Sequence, residues 1–299
     1  MFLSPNDVLR RGLQLVGFRA GNKTKESISL HFRSFYGSSQ LDLAQMWYDI
    51  CYASSPLPKN DRGEKGFKKF MAAHYFLWHY PKNAKTASSR FGASEKLMQG
   101  KILWTWISRI QALKTKKIKW MHSFRSVNSS TFIITVNCVD FKIHEPTDRH
   151  LPKAEKYFSQ KHGSAGLKYE IAISVFESKV VWVNGPFPCG QHDGVVFGEG
   201  GLREKMLNDA APGKRGIADG IYQKHKDLLS IPNTMDSKEL HNFKSRARLR
   251  QEVFHGRMKN YECLSNCFRH SIEKHKMATE AVITTLCYQM DNGARLYDT

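Results

Sequence analysis

Residues 131–141 read TFIITVNCVDF, and the fold class turns on this run. Its residues are mostly β-branched or aromatic, and polar residues bound it. Branching at Cβ suits a pleated strand better than a helix, so the run is predicted to be a strand. Two similar runs follow, YEIAISVFE (169–177) and KVVWVNG (179–185). They are almost contiguous, so a hairpin turning around Ser178 is expected. A helix is expected over about 202–207, and then a short strand in GIADGIY (216–222). The stretch from His241 to Ser265 is helical by propensity, dense in cations and interrupted at Gly256, and a further helix runs to about Met290. Three strands, a helix, a strand and a long helix make an α/β unit around a mixed sheet.

Working back from this run, the periodicity changes. From Leu30 to about Lys119 apolar residues recur three and four apart, as in LDLAQMWYDICY (41–52) and KILWTWISRIQAL (101–113), so the front third is expected to be all-helical. The segment PLPKNDRGEKG (56–66) reads as a loop between helical pieces. Residues 84–110 have a short helix, a glycine at Gly92, a helix cap at Ser94 and a second helix, which is helix-turn-helix spacing. In such a unit Lys96, Gln99 and Lys101 would face a DNA groove, and Trp104 and Trp106 would pack. Two domains are therefore expected, a helix-turn-helix-like region at 1–120 and an α/β domain at 121–299.

Composition restricts the partner. The 299 residues carry 46 Lys plus Arg against 27 Asp plus Glu, a formal charge of +19. This favours a polyanion, with nucleic acid foremost. No apolar run reaches the ~18 residues of a membrane-spanning helix, and an intracellular, nuclear protein is expected. The basic run KTKKIK (114–119) has the density of a nuclear-localisation or phosphate-contact patch, although short basic runs are also common on soluble surfaces. Six cysteines are scattered without a CxxC pair and are read as reduced thiols.

The candidate chemistry lies in three acids. Asp140 closes the first strand, Asp219 closes GIAD, and Glu252 sits inside the basic helix. Hard divalent cations prefer anionic oxygens, and two ions ~3.5–4 Å apart can activate a nucleophile and stabilise a leaving oxygen. The three are read as ligands for two Mg²⁺ or Mn²⁺ ions. Arg248 and Lys259 are placed as phosphate contacts near Glu252, with Lys244, Arg246, Arg250 and Arg257 broadening the patch. Lys153, Lys156, Lys161 and Lys168 add positive charge after the first acid. Asp193 is read as a helix cap.

The blocks VNCVDFKIHEP, FSQKHGSAGLKYEIAI, VVWVNGPFPCGQHD, GIADGIY and RLRQEVFHGRMKNYECLSNCFRH, in this order, resemble eukaryotic DDE-superfamily endonucleases related to Harbinger-type transposases. FLWHYPKNAKTASSRFG and LWTWISRIQALK are similar to the helical region of the same proteins. The resemblance implies an RNase H-like catalytic domain and Asp140, Asp219 and Glu252 as the catalytic, metal-binding carboxylates. It also implies metal-dependent cleavage and strand transfer of double-stranded DNA, covering transposon ends and target. A homo-oligomer and a separate DNA-binding helper protein are expected as well. Gln251 and His255 stand where a His and an Asn are expected, and the second block reads ADGIY, with Gly220 and Ile221 altering the usual turn. These departures define the alternative, a domesticated, catalytically inactive DNA-binding relative.

Overall fold

The computed structural model describes residues 2–52, 57–83, 85–127, 130–147 and 154–298. In chain order its helices begin with α1 (Pro5–Leu15), α2 (Lys25–Tyr36), α3 (Gln40–Tyr52) and α4 (Glu64–His79). Next come α5 (Lys85–Phe91), α6 (Glu95–Leu97), α7 (Leu103–Ala112) and α8 (Lys114–Lys117). Strands β1 (Phe132–Lys142), β2 (Phe158–Ser159), β3 (Ser164–Ser174) and β4 (Val180–Pro188) follow. Then come α9 (Asp193–Glu199), α10 (Leu202–Asp209), β5 (Arg215–Ile217) and β6 (Leu229–Ser230). The chain ends with α11 (Lys238–Lys259), α12 (Glu262–Ser265) and α13 (Ile272–Asp291).

Two compact units result. The first comprises Met1–Lys117, Met258–Asn266 and His270–Ala294, and the second comprises Ile118–Arg257, Cys267–Arg269 and Arg295–Thr299. The helices α12 and α13 therefore pack within the first unit, although they follow the sheet in sequence.

The first unit is helical, as the 3.6-residue periodicity predicts, and its core is aromatic. Trp47 of α3 stacks on Trp106 of α7 with ring centroids 5.9 Å apart and meets Phe67 and Phe70 of α4 at 5.4 and 5.6 Å. Rings this large each remove well over 100 Å² from water and dominate such a core. Between α5 and α7, Gly92 adopts φ +63 and the Ser94 hydroxyl accepts from Leu97 N–H. Glycine carries no Cβ penalty in that left-handed position, so the turn falls where the sequence predicts it. The helix after Ser94 is interrupted by a π-turn at Met98–Ile102. Lys96 is exposed, whereas the side chains of Gln99 and Lys101 lie outside the described residues. Trp104 and Trp106 are buried, as expected.

The second unit is mixed α/β, consistent with the RNase H-like domain implied by the resemblance. Its six-stranded sheet runs β2-β3-β1-β5-β6, and β4 also pairs with β3, on the edge away from β1. β3 is antiparallel to β1 and β4, whereas β1, β5 and β6 are parallel. The β3–β4 hairpin closes by Ser174 N–H to Lys179 O and Lys179 N–H to Glu177 O, at the expected turn. On one sheet face Ile134, Val136 and Ala172 pack with Ala218 and Tyr222 and with Phe197, Leu202 and Met206 of α9 and α10. On the other face Val175 and Ile217 pack on Ala247 of α11. Gly216 admits this close packing, because a Cβ there would stand 2.7 Å from Leu229.

Three expected boundaries shift. β1 runs on past Asp140 to Lys142, since its ladder with β3 extends to Lys142 opposite Gly166. β5 ends at Ile217 rather than Tyr222, because Asp219 caps a 3₁₀ turn, Gly220–His225. Helix α11 continues through Gly256. Phe254 and Met258, both fully buried, hold it on either side, and this packing outweighs the roughly 1 kcal/mol propensity cost of a helical glycine.

Candidate functional site

All three predicted acids belong to the second unit, but they do not converge. Among the described residues no group of three or more His, Cys, Asp or Glu could hold a metal ion. The reason lies in the sheet's alternation. On β1, Ile134 and Val136 face α9 and α10, so Cys138 and Asp140 share that face. Thr135 and Asn137 then face α11. Gln251 of α11 confirms the assignment, since its Nε2 donates to Thr135 O at 2.8 Å, Thr135 Oγ1 at 3.0 Å and Ile171 O at 3.1 Å.

Asp140 consequently enters a polar cluster on the α9 side. Its Oδ2 accepts from Ser159 Oγ at 2.8 Å, and it lies opposite Lys168 in the β1–β3 register. Lys168 is buried, makes an ion pair with Asp193 and donates to Gln191 O at 2.8 Å. Burial alone would depress the Lys168 ammonium. The Asp193 hydrogen bond and the charges of Asp193 and Asp140 outweigh it, so the group is held above its ordinary value. Glu170, beside it on β3, accepts from Trp182 Nε1 at 3.0 Å. Burial pushes its carboxyl up to about 8, which keeps it protonated at neutral pH, with the charge of Asp193 adding to the shift. Asp193 is the first residue of α9 and not its cap. That role falls to His192, whose Nδ1 accepts from Gly194 N–H at 3.1 Å.

Asp219 belongs to the opposite face. Ile217 packs on Ala247 of α11, whereas Ala218 packs in the α9 and α10 core; the backbone stays extended past the strand, with Ala218 N–H donating to Ser230 O and Asp219 at φ -87, ψ -179, so Asp219 returns to the α11 side. Its Oδ1 accepts from Ile221 N–H at 3.0 Å. The two flanks of α11 identify where Glu252 stands. Lys244 donates to Ile231 O at 3.3 Å, just beyond β6, whereas Arg250 donates to Glu177 O at 2.6 Å, at the β3–β4 turn. At 100° per residue, Glu252 lies about 80° around the helix from Lys244 and about 160° from Arg250. Glu252 is therefore exposed on the β5–β6 flank, the side from which Asp219 emerges.

The cations sort into two kinds. Arg246 and Arg248 are exposed on α11, as are Lys156 and Lys161, whereas Lys153 lies outside the described residues. Lys244 and Arg250 are buried instead. Lys244 pairs with Asp236, and Arg250 donates to Glu177 O and Tyr297 O, so both secure the fold rather than meet phosphate. Arg257 donates to Arg295 O at 2.8 Å. Lys259 ends α11 and belongs to the first unit. In the run 114–119, Lys114, Lys116 and Lys117 pair with Glu280, Asp49 and Asp291, so these three lysines are committed to ion pairs within the first unit.

Two features escaped the sequence reading. The sequence places Lys168 on a DNA surface, whereas it is buried, and Gln251 pins α11 to the centre of the sheet. The alternation of β1 is visible in TFIITVNCVDF, but which face α11 covers is decided only by the tertiary fold.

The family model described as DDE superfamily endonuclease matches residues 136–288, just over half of the chain. No curated protein and no solved structure matches it. The matched span runs from β1 through the whole of α11, and with that span the chain belongs to the DDE superfamily endonucleases.

Proposed function

We propose that this chain is a transposase-type member of its family that holds double-stranded DNA, chiefly through its second unit, and is deficient in cutting it. The DNA substrate follows from the nuclease family and from the +19 charge. The deficiency rests on one observation, the dispersal of the acids. The family's divalent ions would need several anionic oxygens on one centre, and among the described residues no such group exists. Asp219 and Glu252 lie toward one flank of the sheet and Asp140 faces the other way, so the residues present do not fit a complete two-ion site. Exposed Arg246, Arg248, Lys156 and Lys161 supply contacts to the phosphate backbone. Lys96 on α6, with Gln99 and Lys101 after it, is a second DNA contact in this reading.

A second reading, metal-dependent cleavage and strand transfer by Asp140, Asp219 and Glu252 with Mg²⁺ or Mn²⁺, is favoured by the presence of all three acids within the matched span. One experiment separates the two. Purified protein is incubated with supercoiled plasmid and with labelled duplex in Mg²⁺ or Mn²⁺, and binding is followed in parallel. Retained duplex binding without nicking is the expected result. Nicking abolished by Asp140→Ala, Asp219→Ala and Glu252→Ala alike would establish the second reading instead.

A further inference from the structure

We infer that Asn137, not Asp140, is the β1 residue of the family's acidic site, and that its neutral amide leaves this site one anionic donor short of holding a divalent ion. The inference deepens the cleavage-deficient reading above by naming the residue responsible.

The parallel β1–β5 ladder pairs Thr135 with Ile217. Two residues further on, on the same face, stand Asn137 of β1 and Asp219, which lies in extended backbone just beyond the end of β5. Asp140 is three positions from Asn137, an odd step along a strand, and so lies on the opposite face. The helix supplies the third side of the site. Gln251 is fixed over Thr135, and Glu252 follows it on the flank that faces β5 and β6. Asn137, Asp219 and Glu252 therefore come from the three elements that meet on the α11 side, β1, β5 and α11.

The donor chemistry explains the deficit. Asn137 is only partly buried, and its Oδ1 accepts from Cys138 N–H at 2.9 Å. Its Nδ2 carries two hydrogens and cannot ligate a cation. Two carboxylates and one weak neutral oxygen make a poor cage for a hard divalent ion, which is held chiefly by carboxylate charge. Asp140 has a different task. It accepts from Ser159 and helps to hold the buried Lys168 charged in the polar cluster on the other face.

Asn137→Asp has nearly the same shape and supplies the missing charge. The full chain and its variants are titrated with Mn²⁺ alone, and binding is followed by calorimetry and by the Mn²⁺ paramagnetic resonance signal. N137D is expected to bind Mn²⁺ at least tenfold more tightly than the wild type, with the gain abolished by adding Asp219→Asn or Glu252→Gln. Asp140→Asn is expected to leave the wild-type titration unchanged. A gain absent from folded N137D, or one that survives D219N, overturns the inference. So does tight wild-type binding that D140N removes, a comparison that decides the matter even if N137D fails to fold. The proposed function fails separately, if wild-type protein nicks DNA or does not bind it.

Discussion

At the scale of single residues, the second unit carries charge in its interior, and one group there makes a pH-dependent contribution. Glu170 is fully buried, and burial raises its carboxyl from an ordinary 4.5 to about 8. The unfolded chain releases this proton near its ordinary value, whereas the native chain keeps it. Between about 4.5 and 8 the unfolded state therefore binds fewer protons, and stability falls as pH rises through that window. Glu170→Gln keeps an oxygen to accept from Trp182 and cannot ionise. The melting temperature of the wild type is expected to fall relative to E170Q between pH 5 and pH 8, and to run parallel to it above about pH 8. A constant gap from pH 5 to 8 would mean that Glu170 is already ionised in the folded protein.

At the scale of elements, α11 is held to the sheet by an uncommon device for so basic a helix. Gln251 reaches two strands at once, bonding Thr135 of β1 and Ile171 of β3, and it is 1 % exposed. Gln251→Ala would strand buried acceptors and leave a void, at a cost of about 2–4 kcal/mol. Urea denaturation of the variant measures this directly. A loss under about 0.5 kcal/mol would show that Ala247 and Phe254 suffice to seat the helix. The same element shows how far the sequence could be read. Its helicity, its cations and Glu252 were legible from local pattern, as were the β1 run and the β3–β4 hairpin. The division of its cations was not legible, because Lys244 and Arg250 become buried only once Asp236 and the Glu177 carbonyl are brought to them by the chain's long-range path. The sequence places Asp140 as a strand-end acid for a comparable reason. A carboxylate's distance from a strand terminus follows from local pattern, but the face it occupies depends on which helix lies above.

At the scale of the whole molecule, the surplus of 46 basic over 27 acidic residues is the largest single physical fact about the chain, and the structure divides it. In the first unit lysines such as Lys114, Lys116 and Lys117 are neutralised by acids of the same unit, so they add little to an external field. In the second unit Arg246 and Arg248 stand exposed on α11, beside Glu252. A surface that binds duplex DNA through phosphate displaces condensed counterions, and the logarithm of the binding constant falls linearly with the logarithm of salt, by roughly 0.9 per phosphate neutralised. Binding of an unrelated duplex sequence, measured by fluorescence anisotropy from 50 to 200 mM KCl, should therefore weaken steeply. The double variant Arg246→Glu, Arg248→Glu should reduce the slope by about 2 if each arginine meets one phosphate. Lys116→Glu, which disrupts only an internal ion pair with Asp49, should leave the slope unchanged. If the slope is instead insensitive to the α11 pair, the phosphate track does not run along that helix. The DNA must then be sought on other exposed cations of the chain.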